Sequence, residues 1–154
     1  MGLDIGDSRI GLALSDPMGI LASPLMIIHR ADEAAAMKKI VDIIREKDVG
    51  KVIAGLPLNM DGSRGKQAEK TASFVAKLSR NIQVPIEYRD ERLSTINARE
   101  LIREVRKTNR DTRYDAAAAA LILQSYLDEV SRRGDQAEEP DLPGGVLMPP
   151  SPEC

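Results

Sequence analysis

The opening of the chain limits its topology more than any other stretch. "GLDI" and "RIGLALSD" are two short apolar runs separated only by "GDS". So short a connector makes a hairpin, whereas a parallel crossover needs a dozen residues or more. "PLMIIHR" adds a third strand, so the chain begins as an antiparallel meander. Inside the first apolar run stands an aspartate, Asp4. A charge in an apolar strand is costly unless something pairs with it. Three roles suit it: holding a metal, facing a phosphate through such a metal, or tying down the turn from Gly6 to Arg9 through backbone amides.

Beyond the meander the pattern changes period. From Asp32 to about Asp48, Ala36, Ile40, Ile43 and Ile44 recur at helical spacing, with Asp32 placed as the N-cap. "KVIAGL" reads as a buried strand, "PLNMDGSRG" as a loop, and Lys66 to Ser79 as a second helix with Ala68, Ala72, Val75 and Leu78 on its inner face. "VPIEYRDE" is the fifth strand, and residues 95–107 and 113–132 form two further helices. The order β-β-β-α-β-α-β-α-α predicts an α/β fold: a five-stranded mixed sheet with helices on both faces and strand 1 at its centre. In such sheets ligands collect at the carboxyl ends of the parallel strands. Asp4, the loop after "AGL" and the end of "EYRDE" are expected around that crevice.

Composition excludes several alternatives. A chain of 154 residues with 42% hydrophobic and 30% charged residues suits one soluble domain with a proper core. Its single cysteine, Cys154, is the last residue, so neither a disulfide framework nor a cysteine metal site is expected. No apolar run approaches the roughly 18 to 20 residues of a membrane span, and no basic-then-apolar leader is visible, so a cytoplasmic protein without membrane contact is expected. The net charge of −2 is unevenly spread. Residues 134–154 carry five acids and no lysine or arginine, leaving 22 basic against 19 acidic residues, about +3, in residues 1–133. The expected organisation is therefore one domain over 1–133 and a disordered acidic, Pro/Gly-rich tail over 134–154. The tail is a solvated end or an acidic arm that competes with nucleic acid.

The chemistry depends on which acids meet at the crevice. Asp4 lies on strand 1, Asp90 and Glu91 close strand 5, and Asp115 begins the last helix. Oxygen donors of this kind, with no histidine or cysteine among them, suit magnesium or manganese. Carboxylates from separate elements can hold two such ions about 4 Å apart and serve phosphodiester hydrolysis without a protein nucleophile.

At this point the chain resembles a known family. "LDIGDSRIGLALSD", "GLPLNMDG", "DERLST" and "YDAAAAALILQSYL" are similar, in order, to the motifs of the YqgF family, also called RuvX or Holliday junction resolvase-like proteins. The match runs from Met1 to about Arg133. The resemblance implies a ribonuclease H-like fold, a divalent ion (Mg2+ or Mn2+), and a nuclease that matures the 5′ end of pre-16S rRNA. The older reading of the family, a DNA junction resolvase, remains the alternative. Carried over by position, the resemblance implies Asp4, Glu91 and Asp115 as the catalytic and metal-binding acids. One departure is visible: only Met1 to Leu3 precede Asp4, fewer than usual, so strand 1 is expected to be short or the start internal.

Each residue also has a plainer reading. Asp7 suits the turn better than Asp4 does. "TRYD" around Asp115 is a capping-box pattern with Thr112 as N-cap. Asp90 and Glu91 cannot face the same side of a strand; Glu91 has the longer reach, and Asp90 then serves the following turn. Arg92 suits either a phosphate or one of these acids. Asn59, Asp61 and Gly62 make a turn, while Ser63, Arg64 and Lys66 lead into a helix whose first amides suit a phosphate; an ordinary mobile loop is the alternative. Arg9, Asn59, Arg64, Lys66 and Arg92 are thus the expected substrate-binding residues.

Arg99, Arg103, Arg106, Lys107, Arg110 and Arg113 form a basic run, either a solvated face partly offset by Glu100 and Glu104 or a phosphate-backbone surface. With no Trp and only Phe74, Tyr88, Tyr114 and Tyr126 as aromatics, recognition by shape and backbone is expected over base stacking. His29 is expected at a strand edge, outside the chemistry. The expected partner is nucleic acid, a structured rRNA precursor with branched DNA as second candidate, bound by a monomer or homodimer. "DIGDSRIG" also resembles the phosphate turn of actin-like ATPases, but these need a second domain that 154 residues do not supply. A non-catalytic RNA-binding or assembly module is the stronger rival, and metal binding separates the two.

Overall fold

A computed structural model of the chain describes residues 1–90 and 113–137. Three strands come first, β1 (Gly2–Ile5), β2 (Arg9–Ser15) and β3 (Ala22–His29), followed by α1 (Glu33–Glu46) and β4 (Val52–Leu56). Then come α2 (Lys66–Ser79), β5 (Ile86–Asp90) and a long helix, α3 (Arg113–Ala137). The five strands make one sheet in the order β3-β2-β1-β4-β5. β1 pairs antiparallel with β2 and parallel with β4, which is parallel to β5. The central place expected for strand 1 and the mixed character of the sheet are both present.

β1 is short, four residues, yet held on both sides. Ile53 donates to the Met1 carbonyl at 2.8 Å, and the Met1 amino group donates to the Lys51 carbonyl at 2.9 Å, so pairing extends one residue before Gly2. A β-bulge in the β2–β3 pairing lies between Leu12 and Ala13, where Leu12 faces Met26 and Ala13 faces Pro24. Proline has no amide to give the ladder, and an extra residue at that point accommodates it.

The two faces carry different side chains. Leu3 and Ile5 of β1, Ile10 and Leu12 of β2 and Ala54 of β4 join Ile40 and Ile44 of α1 and Phe74, Val75 and Leu78 of α2 in the larger core. Ala13, Ile53, Ala119, Ile122 and Leu123 form a smaller one beneath α3. Asp32 caps α1 as expected, accepting from the Ala35 amide. The helix ends through Asp48, whose φ of 53° is left-handed, and a Val49-to-Ile44 bond of 3.0 Å.

α3 runs to Ala137 and so continues five residues past the expected end, taking Gly134 to Ala137 out of the expected tail. No heavy atom lies within 4 Å of where a Cβ would stand on Gly134, so it costs the helix only the ordinary glycine penalty, about 1 kcal/mol. The helix expected over 95–107, its run of arginines, and residues 138–154 lie outside the described residues.

Candidate functional site

Side chains alternate along a strand, so β1 sorts its residues between the two cores. Leu3 and Ile5 enter the larger core. Gly2 and Asp4 therefore face α3. Gly2 lies against that helix so closely that a Cβ would stand 2.6 Å from the Ala119 carbonyl oxygen and 2.9 Å from the Leu123 Cβ. No other residue fits there without moving the helix. Asp4, two residues further toward the carboxyl end, is half-buried rather than enclosed, and it is engaged by a neighbour. That half-exposure corrects the expectation of a charge lost among apolar residues: the strand ends here, and solvent reaches its last turn.

The helix runs against the direction of β1. Ala119 and Leu123 lie over Gly2, Gln124 binds the β2–β3 turn, and Tyr126 binds Lys51 at the opposite end of the sheet. The start of α3 consequently lies toward the carboxyl ends of β1 and β4. Position 115 is one turn before Ala119 on the same stripe of the helix, about 6 Å along its axis. Asp4 is two residues, about 6.6 Å, beyond Gly2 along the strand. The two backbones thus advance by equal steps from the Gly2–Ala119 contact.

The turn after Asp4 is held by groups that sequence reasoning missed. Gly6 donates to the Arg9 carbonyl at 2.9 Å, and a Cβ on Gly6 would stand 2.8 Å from that oxygen. Arg30, at the end of β3, donates through Nη1 to the Gly6 carbonyl at 2.8 Å, pairs with Glu33 at 3.1 Å, and lies 4.9 Å from the Phe74 ring centroid. Its amide also donates to the Ser8 carbonyl at 2.8 Å. Nothing local in "IIHRAD" marks Arg30 for this role, because the carbonyls it holds, Gly6 and Ser8, lie in the turn after β1 and the ring beneath it, Phe74, in α2. Asp7 is exposed at the turn and pairs with Lys70 of α2 at 3.4 Å.

The loop after β4 is closed by its own hydrogen bonds. Asn59 and Ser63 are joined by backbone and side-chain bonds of 2.9 and 3.0 Å. Asp61 accepts from the Ser63 amide and hydroxyl at 2.9 and 2.6 Å, and Gly62 takes a φ of 87°. Asn59 also packs on Gly65, where a Cβ would meet its Oδ1 at 3.1 Å. Its amide is therefore used to shape the loop. Arg64 is exposed and lies 5.9 Å from the centroid of the Tyr88 ring. Lys66 opens α2 behind Gly65, an N-cap with no side-chain acceptor.

Of the expected site residues, Asp4, Arg9, Asn59, Arg64 and Lys66 are described around one end of the sheet. Arg9 opens β2 opposite His29, is half-buried, and by alternation shares the Asp4 face, since Gly11 pairs with Asp4. His29 is exposed on the edge strand β3, as expected. Asp90 has the opposite parity to Arg89, which reaches α3 by donating to Ser125 at 3.0 Å and pairing with Glu129. Asp90 thus belongs to the other face from Asp4. Glu91 and Arg92 lie outside the described residues, and Asp115 is described as helix backbone alone. Among the described residues no three His, Cys, Asp or Glu side chains come together as a metal site.

Comparison with known proteins adds to this geometry. The model of the family described as "RuvX: Holliday junction resolvase" matches residues 1–129. A protein of Dehalococcoides mccartyi named "Putative pre-16S rRNA nuclease" is 45% identical over 127 residues, covering 82% of this chain and 96% of its own. One of the same name from Pelotomaculum thermopropionicum is 41% identical over 152 residues, covering 97% and 98%. Among solved structures, Thermus thermophilus RuvC in complex with a Holliday junction substrate superposes with a TM-score of 0.57 at 14% identity, covering 86% of this chain and 94% of that one. This likeness concerns the fold alone, which is ribonuclease H-like.

Proposed function

Because the chain belongs to the RuvX family and is thereby a nuclease hydrolysing phosphodiester bonds, we propose that it processes the 5′ end of pre-16S rRNA, with Asp4, Glu91 and Asp115 as its catalytic acids. The observation that carries this reading is the backbone register of α3 on β1. Gly2 against Ala119 puts Asp4 and position 115 at matching distances along strand and helix, at the end of the sheet where the parallel strands finish. The parity of β5 supports the third choice: Asp90 is on the far face, which favours Glu91 as its acid.

The donor set suits Mg2+ or Mn2+. It consists of carboxylate oxygens, and Asp4 sits where solvent reaches the strand end. When bound, such ions activate water and stabilise the departing oxygen. The remaining work belongs to the chain. Arg9 on the Asp4 face, Arg64 and Lys66 at the start of α2, and Arg92 take phosphates of the substrate. Asn59 holds the loop that presents Arg64 and Lys66. Arg30 fixes the Gly6 carbonyl and so the turn next to Asp4. Shape and backbone recognition of a structured RNA precursor, by a cytoplasmic enzyme acting as monomer or homodimer, completes the reading. No helix among the described residues is long and apolar enough to cross a membrane.

Cleavage of branched DNA is the second reading, favoured by the description of the family model. One comparison separates them: wild type and Asp4→Asn on precursor 16S RNA and on four-way DNA junctions, with and without manganese. The expected result is manganese-dependent cleavage of the RNA, abolished by Asp4→Asn with circular dichroism and RNA binding retained. Undiminished cleavage by Asp4→Asn rejects the catalytic assignment. Cleavage of the junction alone selects the second reading, and binding without cleavage selects an assembly module.

A further inference from the structure

One aromatic ring among the described residues stands outside both cores. Phe74 is enclosed in the larger core, and Tyr126 packs on the smaller one and binds Lys51. Tyr88 of β5 is instead 39% exposed. Ile86, two residues earlier on the same side of the strand, packs on the larger core, so Tyr88 faces the side of α1 and α2. β5 ends the strand order, and among the described residues no further strand flanks the ring. Its ring contact is Arg64, the exposed residue before α2, whose guanidinium carbon lies 5.9 Å from the ring centroid, near the outer limit of about 6 Å for a cation over a ring. Among the described residues no carboxylate pairs with Arg64 and no hydrogen bond engages the Tyr88 hydroxyl.

Strand register sets the distance from this ring to Asp4. Tyr88 pairs with Ala54 of β4, and Ala54 pairs with Leu3 of β1, the residue before Asp4. Two strand spacings, about 10 Å, therefore separate the backbones of Tyr88 and Leu3. A stacked nucleic acid strand advances about 3.4 Å per nucleotide, so about three nucleotides span the interval. Asp4 faces α3 and Tyr88 faces the other side, and a strand crossing the carboxyl end of the sheet passes from one to the other.

We propose that Tyr88, with Arg64, is a stacking subsite for one unpaired nucleobase of the substrate, within about three nucleotides of the bond that is cut. An exposed ring offers its face to any base, and a guanidinium plane stacks on bases in the same way. Arg64 keeps its N–H groups in that plane, so it can join the stack and still donate to a phosphate. The loop that presents it is held by the Asn59–Ser63 and Asp61–Ser63 bonds. This inference rests on the nuclease reading for the position of the cut bond, and it narrows the substrate to one with an unpaired nucleotide near that bond. A single ring adds one base to the backbone recognition that a chain poor in aromatics favours, without a sequence preference.

The test is an abasic scan on the full chain. A hairpin RNA with an unpaired 5′ strand is made as a set in which each unpaired nucleotide in turn lacks its base, and binding is read by fluorescence anisotropy without manganese, so that no cleavage is needed. Tyr88→Val removes the ring but keeps a residue suited to a strand, and Tyr88→Phe keeps the ring. Wild type and Tyr88→Phe should lose about tenfold in affinity at one abasic position. Tyr88→Val should bind the intact RNA about tenfold more weakly and show no further loss at that position. A scan that is flat in wild type, or that has the same profile in Tyr88→Val, overturns the proposal. A Tyr88→Phe scan that matches Tyr88→Val also overturns it, in favour of a contact through the hydroxyl. Failure of the nuclease reading shows separately, as absent cleavage of the intact RNA once manganese is restored, while the scan keeps its Tyr88-dependent position.

Discussion

The two faces of the sheet are built on opposite principles. Against α1 and α2 the strands present Leu3, Ile5, Ile10 and Leu12, met by Ile40, Phe74 and Leu78, so that face is thick and its contribution scales with buried volume. Against α3 they present Gly2, Ala13 and Ile53, met by Ala119, Ile122 and Leu123. That face is thin. A large side chain at Gly2 would add apolar area, but it would lift the helix away from the strand that carries Asp4. The thick face stabilises the sheet, and the thin one sets how near the start of α3 comes to the strand that carries Asp4.

Mutations that separate stability from activity can break this contrast. The largest stability effect is expected from Ile40→Ala on the thick face, fully buried in α1, which should cost about 2–5 kcal/mol in urea unfolding while cleavage per folded molecule stays near wild type. A parallel loss of specific activity would show that the thick face also positions the site. On the thin face, Gly2→Ala should cost less, about 1–3 kcal/mol, because its Cβ meets a carbonyl oxygen that must shift. Its cleavage should nevertheless fall further than the unfolded fraction explains. Equal losses of both would mean that α3 can slide without consequence.

The smallest effect is expected at the outer edge of the thin face, where Arg89 of β5 pairs with Glu129 of α3. Arg89 foremost, with Arg133, holds the Glu129 carboxyl below its ordinary 4.5. A carboxyl lowered by folding contributes stability above its unfolded value and loses it as the pH falls through the folded one. Glu129→Gln should therefore be less stable than wild type at pH 7, with the gap closing under acid as wild-type Glu129 takes up its proton. Urea midpoints measured down the pH scale check this, and a gap that persists in acid would show that shape rather than charge holds the pair.

Much of this architecture is readable along the chain. The "GDS" connector makes the hairpin, Asp32 caps α1, and the spacing of Ala68, Val75 and Leu78 delimits α2 at Lys66 and Ser79, as found. These features depend on neighbours within a few residues. Asn59, expected to touch substrate, has a further part that only the folded loop reveals: its amide donates to Ser63, where the loop closes on itself with Gly62 in its left-handed φ. Arg30 could not be singled out, since the Gly6 carbonyl it holds and the Phe74 ring it lies over are 24 and 44 residues away. The overrun of α3 past Arg133 was equally hidden, because an exposed glycine weakens a helix without ending it.

By itself, then, the sequence determined the order of elements and the types of acid available, because hydrophobic period, caps and turns act over short range. Only the tertiary structure decided which face Asp4 shares, that it sits half in solvent, and how closely α3 approaches β1. Those depend on strand parity and on one glycine meeting one carbonyl across more than a hundred residues of chain, a contact that exists only when the sheet and the last helix are packed together.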